Sequence, residues 1–454
     1  MDERSRRTAT RTDTAPGGES VRRRHVLKAG AGGALGVSLA GCLDVYGSLT
    51  GGASDEDVVK IGLLAPDPTE GGEVAGFSMK NAAELAVSEL NDPDSDIGTN
   101  ELDEPGINGT DVELVVADTN DSSRETKRQY HELILEHDVD VTVGIFSSDG
   151  LMNIVDDIAE QETVHLTTGA ATTQASSLVR EEYESYKYHF RVGPRNDHDL
   201  AVCQLDFLED MYDVLGWESI TLLTEDHSWT QEIQNVYEDG FDDLAVDVVD
   251  HVRYSASKDD FTDVYDEAEA EGVDAVYVTM AHTGVPAVLD WAGNYPFAFA
   301  GIHVPLQYPQ MWDTLGGRAE YAVTNATAAA TAELTEYTIP FADKYLEEYD
   351  HQPVYSGYIA YDAIKLFAET ATEIGTTESS ELVEGLEEAR FNGTTGTIEF
   401  YDESHDYPHD VVYGEDNVQS SFVQWQDDGD GNGVQEVIWP ERIETAEYQE
   451  PEWD

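Results

Sequence analysis

The segment DVTVGIFSSDG, residues 140–150, contains the pattern that decides the fold. Its first part, with four apolar residues between Val141 and Phe146, is typical of a buried strand, and two serines, an acid and a glycine follow at once. Ser147 or Ser148 can cap a helix here, because a side-chain oxygen accepts a hydrogen bond from a free N–H group of the first turn. The segment therefore predicts a buried strand whose carboxyl end leads directly into a helix.

An apolar strand followed by an amphipathic helix recurs along the chain from residue 58. Clear examples of the strand and helix pairs are 58–64 with 81–90, 111–118 with 125–137, and 219–225 with 230–241. After Pro194 the alternation starts afresh, which indicates a second unit of the same kind. Strands that are apolar on both faces need helices on both sides. We therefore predict an α/β fold with two doubly wound, mainly parallel sheets.

Acidic residues dominate the charge of the chain. The 454 residues include 94 Asp and Glu but only 24 Lys and Arg, which gives a formal net charge of -70. Such a surface repels nucleic acid and anionic lipid, so neither is an expected partner. Because the acids are spread through regularly patterned helices, we interpret them as an adaptation of the whole surface to molar salt, as in a halophilic organism.

The N-terminal segment has the opposite charge balance. The first 41 residues carry eight basic and four acidic side chains, and a run of apolar and small residues follows the basic part. This order is typical of a signal peptide, which we predict over residues 1–41. Residues 23–28, RRHVLK, resemble a twin-arginine export signal, and residues 39–42, LAGC, resemble the lipobox of exported lipoproteins.

Cys42 is the predicted site of lipidation and the first residue of the mature chain. The lipid is expected to anchor the protein to the outer face of the cell membrane, and residues 42–57 have the composition of a tether. A fortuitous cysteine after a signal-like run is the alternative. Cys203 is the one other cysteine, so a lipidated chain has no intramolecular disulfide and its stability must come from the core.

One motif suggests a metal, and the common enzyme signatures are missing. Residues 428–433, DGDGNG, match the first half of a calcium loop, but Trp439 stands where the closing glutamate belongs. A tight turn between two strands is the favoured interpretation. The chain contains no G-x-S-x-G, no glycine-rich phosphate loop and no H-E-x-x-H. We therefore expect no metal, no cofactor and no catalytic residues.

The order of these segments resembles that of the type I extracytoplasmic solute-binding proteins of ABC transporters, in the branched-chain amino-acid-binding family. The resemblance extends over nearly all of residues 58–440, and VVKIGLL, VTVGIFSS, VHLTTGAATT, YKYHFRVGPRND and SITLLTEDHSW are among the segments that carry it. It implies two lobes joined by a hinge, each completed by a return of the chain. The implied lobes are 58–192 plus 325–392, and 193–324 plus 393–454.

The resemblance also implies where a solute binds. The family's serine after the third strand corresponds to Ser148, and its Ala-x-Thr pair after the fourth strand corresponds to Ala170 and Thr172. In the family these groups hold a carboxylate, which agrees with the hydroxyl and N–H groups that the sequence places at helix starts. The neighbouring Ser147 and Ala171 complete this half of the predicted site.

The other half of the site is expected to come from the second lobe, with Trp229, His282 and His303 as its predicted ligand-binding residues. Trp229 corresponds to an aromatic side chain that closes over the ligand. Two family residues are replaced: a tyrosine by Ala281, beside His282, and the acid that pairs with an amino-acid ammonium by His303. Because an ammonium would then be buried without its partner, these departures favour a small polar solute that keeps a carboxylate or amide.

We therefore expect a monomeric, membrane-anchored receptor that is not an enzyme. It would hand a small polar solute, such as a branched-chain amino acid, an amide or a related carboxylate, to the permease subunits of an ABC transporter. A membrane-anchored extracellular hydrolase or a ligand sensor that uses the same cleft is the alternative. Turnover of amides or esters would favour the hydrolase.

The lipid anchor leads to a direct test. Cys42→Ser removes the predicted acylation site, so the mature protein should move from the membrane fraction into the medium. Cys203→Ser is the matched control and should leave the protein on the membrane. The measurement is the share of protein that stays membrane-bound after a wash at high salt, and full retention of the Cys42 variant would contradict the lipoprotein prediction.

Overall fold

The computed structural model describes residues 58–66, 74–100, 104–255, 257–282 and 284–452. The predicted signal peptide, Cys42 and the tether lie outside these residues. Of the helices within the described ranges, none combines the length and the apolar character that are needed to cross a membrane.

The first sheet has five parallel strands in the order β2-β1-β3-β4-β5. Its strands are β1 (Val59–Ala65), β2 (Val112–Asp118), β3 (Val141–Gly144), β4 (His165–Thr167) and β5 (His189–Arg191). The helices in this part of the chain are α1 (Val74–Asn91), α2 (Ser123–Glu132), α3 (Ser148–Gln161), α4 (Gln174–Glu181) and α5 (Tyr183–Tyr186). The central strand of the sheet is β3, which is buried throughout and is the strand that residues 140–150 predict.

The second sheet has four parallel strands in the order β7-β6-β8-β9. Its strands are β6 (Ser219–Glu225), β7 (Asp247–Tyr254), β8 (Ala275–Met280) and β9 (Ala298–His303). The helices around it in sequence are α6 (Asp197–Asp210), α7 (Tyr212–Leu215), α8 (Gln231–Gly240), α9 (Thr262–Glu271) and α10 (Val285–Trp291). All residues of β8 and β9 are buried, as expected for strands covered on both faces. These two sheets confirm the prediction of a two-lobed, mainly parallel α/β fold.

The C-terminal part of the chain returns to both sheets. Its helices are α11 (Met311–Thr314), α12 (Thr338–Tyr349), α13 (Tyr355–Ile374) and α14 (Ser379–Glu387), and its strands are β10 (Val323–Ala326), β11 (Phe391–Asn392), β12 (Thr397–Ile398), β13 (Ser421–Asp427) and β14 (Gly433–Trp439). Helix α13 packs along α1, whereas β10 lies beside β9 and pairs with β13 in a three-stranded sheet, β10-β13-β14. The lobe boundaries at residues 192, 325 and 392 stay predictions.

Strands β13 and β14 form an antiparallel hairpin whose turn contains the DGDGNG motif. Asp428 Oδ1 accepts the backbone N–H of Asp430 at 2.8 Å and that of Asn432 at 3.1 Å, so this carboxylate is used within the turn. Within the described ranges, no group of three or more His, Cys, Asp or Glu side chains is arranged to hold a metal ion. The motif serves as the tight turn that the sequence favours.

A buried ion pair joins β5 to the segment near residue 410. Arg191 Nε lies 2.9 Å from Asp410 Oδ1, and both side chains are fully buried. Asp410 also accepts hydrogen bonds from Ser176 Oγ and, at 2.8 Å, from Asn196 Nδ2. Asn196 caps α6, the helix that begins the second half of the fold, so this one carboxylate connects three parts of the chain.

Breaking this pair should destabilise the protein strongly. Asp410→Asn leaves the Arg191 guanidinium buried without its counter-charge, which typically lowers the free energy of unfolding by about 3–5 kcal/mol. The matched control is Asp406→Asn, because Asp406 pairs with Arg180 while their side chains are 69% and 49% exposed. Exposed pairs contribute only about 0–1 kcal/mol. Urea denaturation in molar KCl measures both variants, and equal losses would contradict the role given to Asp410.

Candidate ligand-binding site

One cleft is lined by residues that follow the carboxyl ends of strands in both parallel sheets. Its empty volume, counting the part open to solvent, is about 520 Å³. The residues that line it are Phe146, Ser148, Gly169, Ala171, Pro194, Leu200, Trp229, Ala281, His282, Ile302, Val304, Gln307, Asn325, Thr327 and Tyr355. Open α/β sheets bind ligands beyond the carboxyl ends of their strands, and a cleft of this size suits a small molecule.

The chain turns sharply where β3 enters the cleft. Gly144 has φ +119°, and a Cβ atom there would lie 2.2 Å from Leu64 O, so glycine is required. Ile145 has φ 67°, a left-handed conformation that is unfavourable for a β-branched residue. Strain of this kind persists where the surrounding structure imposes it, often at functional sites. The turn brings Phe146, which the sequence predicts as a strand residue, into the wall of the cleft.

The two predicted serines have different roles at the start of α3. Ser147 Oγ caps the helix by accepting the N–H of Gly150 at 3.5 Å. Ser148 Oγ accepts the N–H groups of Ala171 and Thr172, each at 3.2 Å, and its side chain lines the cleft. A hydroxyl has two acceptor lone pairs and one proton. With both lone pairs used, the Ser148 hydroxyl has its proton left to donate a hydrogen bond.

The loop after β4 is held from behind by Arg191. Its guanidinium donates to the carbonyl oxygens of Ala170 and Thr172, the latter at 2.6 Å. Ala170 and Thr172 are buried behind the surface, whereas Gly169 and Ala171 line the cleft. Of the three residues predicted in this loop, the structure therefore brings Ala171 to the surface and places the other two in the supporting layer.

Trp229 and His282 line the cleft from the second sheet and share one buried carboxylate. Trp229 Nε1 donates to Glu225 Oε1 at 2.6 Å, and His282 Nδ1 donates to the same oxygen at 2.9 Å. Glu225 is the last residue of β6 and is 2% exposed. Because one carboxylate accepts from both rings, it fixes their orientation in the cleft. The sequence analysis missed Glu225; an acid at the carboxyl end of a buried strand is the signal that points to it.

Glu225 is ionised at neutral pH. Burial alone would raise the pKa of this carboxyl, but hydrogen bonding and attraction to His282, together with the hydrogen bond from Trp229, lower its pKa to about 2. Since the ordinary pKa is 4.5, the stabilisation from these contacts is fully present above that pH and is lost as the pH falls toward 2. A fixed negative charge therefore lies directly behind Trp229 and His282.

Contacts between the two halves of the fold close one side of the cleft. The Phe146 and His282 rings lie 5.2 Å apart, and the His227 ring stacks on His282 at 4.2 Å. His227 Nε2 also lies 3.9 Å from Asp149 Oδ2, at the start of α3. Burial and the nearby His282 lower the pKa of His227, which favours the neutral ring. The Phe146–His282 ring contact thus joins the two halves beside the cleft, with His227 stacked on His282 and close to Asp149.

His303 has a structural role outside the lining. Its Nδ1 accepts the N–H of Leu306 at 3.1 Å, and its Nε2 donates to Gly284 O at 2.7 Å. The ring is fully buried, and burial lowers the pKa of His303 from 6.5 to about 4. A neutral buried histidine stabilises the fold fully above pH 6.5, and this contribution is lost as the pH falls through 4.

The rest of the lining, which the sequence analysis did not single out, is mainly apolar. Leu200, Ile302, Val304 and Tyr355 contribute apolar or aromatic surface. Polar groups come from Gln307, Asn325 and Thr327. Gln307 Nε2 donates to the Asn325 carbonyl at 3.0 Å. Among the described residues that line the cleft, none is acidic. The cleft therefore suits an apolar body with a few hydrogen-bonding groups.

The fold and this cleft define a class of two-lobed proteins that bind small solutes, and a comparison with protein families names it. The model of the periplasmic binding protein family matches residues 58–421. The chain belongs to this family. Because this is a family of periplasmic binding proteins, the prediction of a binding protein rather than an enzyme is confirmed.

Several solved structures share the fold. A leucine-binding protein from Thermotoga maritima is 18% identical, with a TM-score of 0.67 over 85% of this chain and 100% of that chain. The isoleucine complex of a branched-chain amino acid transporter substrate-binding protein from Streptococcus pneumoniae gives the same four values. A solute-binding protein from Rhodopseudomonas palustris, in complex with 3,4-dihydroxybenzoic acid, is 17% identical, with a TM-score of 0.69 over 87% and 99%. No curated protein matches the sequence.

The two histidines should respond differently to substitution. His282→Ala removes part of the cleft wall, so it should weaken solute binding at least tenfold. His303→Ala removes two buried backbone hydrogen bonds and leaves a cavity, so it should lower the melting temperature while a folded variant keeps its affinity. The His303 variant should also lose part of the acid sensitivity between pH 6.5 and 4.

Calorimetric titration and thermal denaturation across this pH range measure these effects. The solute for the titration is the strongest ligand of the carboxylate panel described below. A His303 variant that melts like the unsubstituted protein but no longer binds would contradict the structural role and restore His303 to the site.

Proposed function

We propose that this chain is the extracytoplasmic substrate-binding lipoprotein of an ABC uptake transporter, with a small carboxylate of apolar or aromatic body as its solute. The observation that carries the proposal is the composition of the cleft. The Ser148 hydroxyl lies on one wall, and the rings of Trp229 and His282 lie on the other, fixed by Glu225. No acidic side chain is among the described lining residues.

The start of α3 supports a carboxylate at this end of the cleft. Ser148 is the first residue of the helix, where backbone N–H groups are not used within the helix and the helix dipole favours negative charge. Its hydroxyl proton adds a directed donor, as argued above. A hydrogen bond to an ionised acceptor is stronger than one between neutral groups. A carboxylate bound here thus gains both a charge interaction and a directed contact.

The described lining offers no counter-charge to an ammonium. His303, at the position of the family's acid, is buried and bonded to backbone groups, and Glu225 lies behind Trp229 and His282. Asp226, the next acid in sequence, pairs with Arg253 at 2.7 Å, and its side chain is 63% exposed. Burying an ammonium without a partner is costly. An α-amino acid is therefore a poorer fit than its deaminated analogue.

Aromatic residues favour a flat or branched apolar body next to the carboxylate. Phe146, Trp229 and Tyr355 all line the cleft, and ring faces of this kind stack well on a planar ligand. The Rhodopseudomonas palustris protein of the same fold was solved with 3,4-dihydroxybenzoic acid. Benzoates therefore belong in the panel of candidate solutes beside aliphatic carboxylates and amides.

The proposal includes the location and partners of the protein. Export by the predicted signal peptide and lipidation of Cys42 would place a monomeric receptor on the outer face of the membrane, where it can deliver solute to permease subunits. The excess of acidic residues supports function in molar salt, because high ionic strength screens their mutual repulsion over a few ångströms. The lipid anchor and the adaptation to molar salt are both inferred from the sequence.

A thermal-shift panel in molar KCl tests the solute class. Benzoate, 4-hydroxybenzoate, 4-methylpentanoate and 3-methylbutanoate are compared with leucine, isoleucine and valine. A ligand at a hundredfold its dissociation constant adds about 2.7 kcal/mol to stability. We expect such a shift from one or more carboxylates and none from the amino acids.

Two variants control this panel. Ser148→Ala should abolish the shift, because it removes the hydroxyl donor, whereas Asp226→Asn should leave it unchanged. Strong shifts from leucine, isoleucine or valine, without shifts from their deaminated analogues, would show that the solute is an amino acid after all.

A further inference from the structure

Arg195 is a fully buried cation directly behind the cleft. It stands between Pro194, which lines the cleft, and Asn196, which caps α6. Its side chain is 1% exposed. Within the described part of the chain, Nε, Nη1 and Nη2 of this guanidinium have no hydrogen-bond acceptor. A charge buried in this way is strongly unfavourable unless an opposite charge compensates it.

The nearby Arg191 shows how the same fold pairs a buried guanidinium. Arg191 is fully buried, binds the Asp410 carboxylate and donates to two carbonyl oxygens. Arg195 has no comparable partner, although the chain contains 94 acidic residues. A lack of carboxylates in the composition therefore does not explain the arrangement, and the compensating charge is expected to come from outside the chain.

The groups around Arg195 are a ring face, a thiol and the carboxylate that the hydroxyl of this ring binds. Its guanidinium carbon lies 4.9 Å from the centre of the Tyr413 ring, while the Tyr413 hydroxyl donates to Asp206 Oδ2 at 2.6 Å. Cys203 lies close enough that, while burial raises the pKa of its thiol, the Arg195 charge acts in the opposite direction. Asn325 Nδ2, from the cleft wall, donates to Cys203 Sγ at 3.7 Å and to Ser421 O at 3.2 Å.

We propose that Arg195, with the Cys203 thiol, holds a small monovalent anion of the halide class directly behind the cleft wall. N–H and S–H donors beside a positive charge are the groups that a halide needs. The guanidinium nitrogens are closed to solvent, so a monatomic ion fits this position better than a larger anion. Since Pro194 and Asn325 both line the cleft, the anion supports its wall. This inference does not depend on which solute the cleft binds.

The test compares chloride with gluconate in the full mature chain. Melting temperatures are measured in KCl and in potassium gluconate at equal concentration, and the ³⁵Cl line width is measured by NMR. The unsubstituted protein should melt higher in chloride, by on the order of 2 °C or more, and should broaden the chloride line. Arg195→Met should lose both effects. Arg180→Met, which removes an exposed arginine, should keep both.

Other results would overturn the proposal. One is an equal melting temperature in the two salts, with no broadening of the ³⁵Cl line. The other is line broadening that persists in Arg195→Met. If benzoate removes the broadening and Arg195→Met no longer binds benzoate, the anion is the carboxylate of the solute. If no chloride effect is found and Asp206→Asn lowers the melting temperature as much as Arg195→Met, the guanidinium pairs within the protein.

A second variant keeps the test decisive if Arg195→Met does not fold. Arg195→Lys retains the charge but presents a different donor geometry. The chloride-dependent rise in melting temperature should remain and move to a higher chloride concentration. A lysine variant with the same chloride dependence as the unsubstituted protein would overturn the role of the guanidinium.

Discussion

The buried ion pair between Arg191 and Asp410 is the interaction on which the cleft depends. Arg191 ends β5, and its remaining donors hold the carbonyl groups of Ala170 and Thr172. The N–H groups at positions 171 and 172 in turn orient the Ser148 hydroxyl. On the other side, Asp410 binds the cap of α6. One fully desolvated pair therefore positions the first sheet, a binding loop and the start of the second half of the chain.

The parts of the fold that depend on local pattern were predictable. Residues 140–150 predict a buried strand that ends at a helix start, and the structure has β3 and α3 there with Ser147 as the cap. Ala171, Trp229 and His282 lie in the cleft with Ser148, as the family resemblance implies, because strand ends of a parallel sheet meet on one edge. Apolar periodicity and turn residues depend on neighbouring positions in the sequence, so they can be interpreted without knowledge of tertiary contacts.

The parts that depend on distant contacts were not predictable. The His303 ring turns toward Gly284, a partner 19 residues away, which sequence position alone does not show. Ala170 and Thr172 point their carbonyl groups at Arg191, so they support the loop instead of lining the cleft. Glu225 becomes important only because Trp229 and His282 converge on it. In each case the deciding quantity is a hydrogen-bond partner that folding brings close.

The hydrogen bond between Trp229 and Glu225 has an optical consequence. Among the described residues that line the cleft, Trp229 is the one tryptophan, and its indole N–H is fixed on an ionised carboxylate at 2.6 Å. An indole excited state shifts electron density away from the pyrrole nitrogen, so its emission energy is sensitive to nearby charge and to water at the ring face. Trp229 is thus a fluorophore within the cleft, and its emission wavelength should change when a planar ligand displaces water from the face of its ring.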